Sequence, residues 1–203
     1  MPAPPDDRTL VHAVQGGDRA ALDVLLRRHY DRVYAVCRRV TGNDADAADA
    51  AQEALLAIVR GLARFDGRSA LTTWIYRIAT NASLDELRRR RRRPMPAGPE
   101  GDGSSVDGHG ERSEHIDHRA SARIDAVADR LEIDVALLAL PVDFRTALVL
   151  RDVGDLGYAE IAEVLEIPIG TVKSRIARAR SALVAIVHPG NRDEAAERPT
   201  AAP

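Results

Sequence analysis

Residues 94–122 limit what this chain can fold into more than any other feature. Pro94, Pro96, Gly98, Pro99, Gly101, Gly103, Gly108 and Gly110 fall close together, with acids and serines between them. Proline removes a backbone donor and glycine relaxes the chain, so no helix propagates through such spacing. The segment holds too little apolar surface to offset the entropy of ordering it. It therefore predicts a flexible, acidic linker over 94–122. This divides the sequence into two folded blocks, 8–93 and 123–187, followed by a disordered tail over 188–203.

Both blocks read as all-α. Aromatic residues make up only 3% of the chain, so the core must be built from Leu, Ile, Val and Ala. Ala, Leu and Arg are strong helix formers, and no strand-like alternation stands out. In the first block a short amphipathic piece over Leu10–Val14 ends at Gly16-Gly17. Asp18 caps a second helix that runs to about Val40, with Leu22, Leu25, Leu26, Val33, Val36, Cys37 and Val40 at helical spacing. A third helix is expected from about Asp44 to Leu62. A fourth starts near Ser69 and ends in the arginine run before Pro94. In the second block, breaks at Pro141, at Gly154 and Gly157, and at Pro168-Ile-Gly170 predict helices over roughly 120–139, 142–153, 158–166 and 170–187.

Several function classes are set aside at this stage. The single cysteine, Cys37, cannot form an internal disulfide. The polar N-terminus lacks a signal pattern, and no apolar run approaches the ~20 residues of a membrane span. The expectation is a cytoplasmic protein without membrane insertion. No nucleophile–base pair or phosphate loop is visible, so neither an enzyme nor a small-molecule substrate is expected. His109, His115 and His118 lie in or beside the linker without a nearby cysteine, a weak basis for a metal site, and no cofactor or metal is expected. The net charge of −2 conceals an asymmetry: residues 1–93 carry 17 Arg against 12 acids.

The sharpest local signal lies over 157–180. Two short helices are joined by a tight turn, and in the second Val172, Ile176, Ala179 and Leu183 form one stripe. Ser174, Ala177, Arg178 and Ser181 face the other way, with Lys173, Arg175 and Arg180 on the flanks. Small outward residues let a helix approach a groove floor while basic flanks reach phosphates. An ordinary basic surface helix is the plainer alternative.

Two further charge patterns admit two readings each. Asp46, Asp49 and Glu53 share one face of the third helix, roughly opposite Leu55, Ile58, Val59 and Leu62. They are either acids favoured by the helix dipole or a docking face for a basic partner. The run Arg88–Arg93 is either a solvated, dipole-favoured end or a contact for an anionic polymer. On the fourth helix Leu71, Ile75, Ile78 and Ala82 make the buried stripe, Trp74 borders it, and Arg77 and Asn81 lie toward one side.

In this order, these pieces resemble the extracytoplasmic-function (ECF, group IV) RNA polymerase sigma factors. The motifs that carry the resemblance are Asp46-Ala-Ala-Asp49-Ala-Ala-Gln52-Glu53, the stretch from Phe65 to Asn81, Leu140-Pro141 with Arg145, Leu148, Leu150 and Arg151, and Gly170-Thr-Val-Lys-Ser-Arg175. The resemblance implies a region 2 bundle over 8–93 and a region 4 helix-turn-helix domain over 123–187. Asp46, Asp49, Gln52 and Glu53 would dock on the β′ clamp helices of core RNA polymerase. Phe65, Arg68, Ser69, Leu71, Arg77, Asn81 and Arg88 would serve the −10 element, the 65–71 loop with Asn81 holding a flipped base. Thr171, Lys173, Ser174, Arg175 and Arg178 would serve the −35 element, and apolar residues around Phe144 and Leu148 would grip the β flap. Promoter DNA and an anti-sigma factor are the other implied partners, and stress-responsive transcription the implied setting. The competing readings are a stand-alone dimeric repressor or activator, a small helical enzyme, and an adaptor with a vestigial helix-turn-helix.

Overall fold

The computed structural model describes residues 5–92 and 133–187. All regular structure among the described residues is helical: α1 Asp7–Gln15, α2 Arg19–Thr41, α3 Asp44–Leu62, α4 Leu71–Arg92, α5 over 133–138, α6 Val142–Asp152, α7 Tyr158–Leu165 and α8 Ile169–Val187. The expected linker and tail, and residues 120–132 of the expected fifth helix, lie outside the described residues.

Helix ends in the first block follow their capping residues. Asp18 accepts from the backbone N–H groups of Ala20 and Ala21 and starts α2. Gly42 takes φ +93°, ends that helix and turns the chain. Asn43 then accepts from the Asp46 N–H at 2.8 Å and donates to the Asp46 carboxylate at 2.6 Å. Satisfying an otherwise orphaned donor is worth about 1 kcal/mol, so Asn43→Ala should lower stability by roughly that amount in chemical denaturation. The first helix begins earlier than Leu10, because Asp6 accepts from the Thr9 N–H and starts it.

Helices α2, α3 and α4 pack against one another, with α1 laid on α2. Leu25, Val33, Ile58, Leu62 and Ile75 fill the centre. On α3 the buried face is mostly alanine: Ala47, Ala50, Ala51 and Ala54. Small side chains let neighbouring axes approach closely. Val59, grouped by spacing with Ile58 and Leu62, is exposed, and the alanines share the core face with those two. Asp7 fastens α1 by pairing with Arg28 at 2.7 Å and His29 at 3.0 Å. Cys37 is buried, and burial pushes its thiol up from the ordinary range.

In the second block, α6 and α7 support α8. Ile161, Leu150, Val172 and Ile176 are the buried contacts. The turn between α7 and α8 falls earlier than Pro168-Ile-Gly170. Glu166 takes the left-handed conformation at φ 54°, and both its N–H and that of Ile167 bond to the Ala162 carbonyl. Gly170 lies inside α8, so the break there comes from Glu166 and Pro168 rather than from glycine.

The two blocks touch. Val36, Val40 and Tyr76 of the first share one apolar cluster with Leu137, Leu140 and Leu148 of the second. A β-carbon placed on Gly42 would lie 2.1 Å from Leu138 Cδ2, so glycine there serves both the turn and this contact. Arg39 pairs with Asp134 at 3.6 Å across the same seam.

Candidate nucleic-acid interface

Helix α8 presents the face expected of a reading helix. Val172, Ile176 and Ala179 are buried, while Lys173, Ser174, Ala177, Arg178 and Ser181 are exposed. Leu183 is only half-buried, so the stripe ends a turn earlier than its spacing suggests. Thr171 is half-buried, and its carbonyl accepts from the Ser174 hydroxyl at 2.9 Å. The flanks are partly engaged: Arg175 pairs with Asp143 and Arg180 with Asp152, each at 2.9 Å. These pairs brace α8 against α6, which leaves Lys173 and Arg178 as its outward cations.

Below α8, the turn into α7 is held by Arg151. Its guanidinium donates to the Leu156 carbonyl at 2.8 Å and sits 5.5 Å from the Tyr158 ring centre. Leu148 is fully packed in the core and cannot serve as an outward grip, whereas Phe144 is half-buried. Arg145 is buried and donates to the Leu138 carbonyl at 3.4 Å; burial is the main cause lowering its pKa.

On the first block, the expected residues separate by environment. Asp49, Gln52 and Glu53 are exposed along one side of α3. Asp46 is not equivalent to them. It is largely covered, pairs with Arg90 of α4 at 3.0 Å and closes the Asn43 cap. Phe65 is half-buried, its ring 5.2 Å from Trp74. Arg68 is exposed beside Asp66 at 3.0 Å, Ser69 is half-buried and Leu71 belongs to the core. Asn81 is exposed on α4, as is Arg88, which pairs with Asp85 at 2.7 Å.

Arg77 has a partner that the sequence did not suggest. It pairs with Glu163 of α7 at 2.7 Å, and one turn earlier the buried Thr73 hydroxyl donates to Glu160 at 3.0 Å. The other Glu160 oxygen accepts the Gly157 N–H at 2.8 Å. One acidic helix of the second block thus lies along the outer side of α4.

Among the described residues, no group of three or more His, Cys, Asp or Glu could hold a metal ion, and no helix is long and apolar enough to cross a membrane.

Fold and surface together define a helical DNA-binding protein with a helix-turn-helix in one block and a basic, aromatic-edged helix in the other. Sigma-70 region 2 matches residues 25–93, and sigma-70 region 4 matches 130–183. The RNA polymerase sigma-H factor of Pseudomonas aeruginosa is 37% identical over 186 residues, covering 90% of this chain and 94% of that protein. The ECF RNA polymerase sigma-E factor of Haemophilus influenzae is 33% identical over 187 residues, covering 90% and 96%. The solved sigma factor RpoE, in complex with the anti-sigma factor NepR from Bartonella quintana, shares the fold. Its TM-score is 0.59 at 24% identity, over 80% of this chain and 93% of that one. The chain belongs to the ECF RNA polymerase sigma factors. It is a transcription initiation factor that binds core RNA polymerase and promoter DNA, and it is not an enzyme.

Proposed function

We propose that this chain is a group IV sigma factor acting on cytoplasmic RNA polymerase, with region 2 over 8–93, a linker over 94–122 and region 4 over 123–187. The observation that carries the −35 assignment is the outer face of α8. Small side chains at Ser174, Ala177 and Ser181 leave room for a groove floor, and Lys173 and Arg178 stand beside them. Thr171 and Arg175 flank that face. Arg178→Ala should weaken −35 engagement by about 1–3 kcal/mol if it reads a base, and relax specificity at one position. Competition binding by the holoenzyme on promoter fragments with single −35 changes measures this.

For the −10 element, the assigned residues are Phe65, Arg68, Ser69, Leu71, Arg77, Asn81 and Arg88. Capture of an unstacked base in a pocket offsets an unstacking cost of a few kcal/mol, which is how a protein without ATP hydrolysis opens DNA. Leu71 acts from beneath, as the floor of the loop, since its side chain is in the core. Asp49, Gln52 and Glu53 form the docking face for the β′ clamp helices, and Asp46 holds that helix in place. Phe144, half-buried, rather than the core residue Leu148, is the one of the two that can reach the β flap. An anti-sigma factor is the proposed regulator, as for the RpoE–NepR pair.

The test is run-off transcription with core RNA polymerase on sheared genomic DNA, with 5′ ends mapped. Starts that share two upstream elements are the expected result. A chain that fails to bind core at all would overturn the proposal.

A further inference from the structure

Helix α1 lies outside the region 2 match, which begins at residue 25. Yet it faces the 65–71 loop across a cleft of about 1030 Å³. A cleft of that size accommodates a nucleotide together with part of its neighbour. Val11 and Leu71 line its apolar part. Arg8 and His12, four residues apart and therefore on one side of α1, line it from above. The acids of the cleft are already partnered: Asp7 pairs with Arg28 and hydrogen-bonds His29, and Asp66 pairs with Arg68. Arg8 is exposed on the cleft with His12 beside it and in no ion pair among the described residues, although its charge also acts on Asp6.

Gln15 ties the two walls together. Its amide donates to the Phe65 carbonyl at 2.9 Å and the Leu62 carbonyl at 3.3 Å. The loop it grips has no regular structure. Its own restraints are the turn bonds from Arg64 and Phe65 and the Arg68 N–H to Asp66. Phe65 is thus fixed from one side by the Trp74 ring and from the other, through its carbonyl, by α1.

We infer that α1 is the second wall of the single-stranded DNA site, with Arg8 and His12 contacting the backbone or edge of the extruded −10 nucleotide and Gln15 acting as a positioning residue for the 65–71 loop. The inference rests on the reading of that loop as nucleotide-binding. A basic wall opposite an aromatic-edged loop is the arrangement that tracks a single strand.

The test uses the full chain with core RNA polymerase, in open complexes on a promoter mapped with the parent holoenzyme. A photoreactive p-benzoylphenylalanine replaces His12 in one chain and Ser69 in another. Crosslinks from both positions to the same −10 nucleotide or its neighbour are expected. A crosslink from position 69 alone would overturn the role of α1 and leave the loop assignment standing. No −10 crosslink from either would overturn both. Gln15→Glu keeps the side-chain size but cannot donate. It should slow opening of duplex promoter about 10-fold, with a smaller loss on a pre-melted template, where the bases are already unstacked. Opening at the parent rate would remove the positioning role. Arg8→Ala should reduce the salt slope of single-strand binding by about 1 if it contacts a phosphate.

Discussion

A chain carrying Asp49→Arg and Glu53→Arg should fold as the parent does and fail to bind core RNA polymerase. Both side chains are exposed, and neither has an ion-pair partner among the described residues. Reversal therefore breaks no ion pair; Glu53 lines a cleft with Arg88, Arg89 and Arg92, so the new like charge there should lower the melting temperature only slightly. Against a basic partner helix, two reversals replace attraction with like-charge contact, expected to weaken binding on the order of 100-fold or more. Asp46 is left out of this variant because its carboxylate closes the Asn43 cap and pairs with Arg90. Changing it would mix stability with docking. Core binding by size-exclusion, read beside a thermal melt, separates the two effects. A folded double variant that still binds core would remove the docking face from α3.

The contact between α4 and α7 adds a constraint on the proposed DNA surface. Arg77 commits one nitrogen to Glu163 at 2.7 Å, and that carboxylate would repel a promoter phosphate brought to the same guanidinium. With both side chains partly exposed, the pair is worth only about 0.2–1 kcal/mol, a small term to displace. The seam between the blocks is held mainly by apolar contact around Val36, Val40, Tyr76, Leu137 and Leu140, with Leu138 seated over Gly42. A promoter contact through Arg77 therefore competes with a weak ion pair at the edge of a broader apolar seam.

Much of this was legible in the sequence because it is local. Asp18, Gly42 and Asn43 carry the ends of α2 and α3 in their side chains or in glycine's freedom. The α8 stripe follows from helical period alone. What could not be read depends on neighbours far along the chain. Asp46, Asp49 and Glu53 look equivalent by spacing; Asp46 is made structural by the Asn43 cap beside it and by Arg90, 44 residues away, and the second of these has no local signal. The alanine face of α3 was invisible because alanine is weakly apolar. The Arg77–Glu163 pair joins residues 86 apart on different blocks, so no periodicity within either block could suggest it. The cleft under α1 depends in the same way on Gln15 reaching the Phe65 carbonyl, 50 residues on.

Ile176→Ala should cost more stability than any surface change considered above. Ile176 is 2% exposed, and with Val172 and Ala179 it makes up the buried face of α8. Val172 and Ala179 are smaller, so Ile176 is the largest anchor that the reading helix has. Truncation removes its contacts and leaves a cavity, at a cost of about 2–5 kcal/mol. The second block is small, and small helical units have little stability in reserve. The Arg175–Asp143 and Arg180–Asp152 pairs cannot compensate, since exposed ion pairs contribute about 0–1 kcal/mol each. The expected outcome is a lower-melting chain that has lost −35-dependent transcription but still binds core through α3. Hydrogen exchange should place the loss of protection in α6, α7 and α8 and leave α3 protected. Unchanged protection across α8 would mean that the helix is held by something other than its buried stripe.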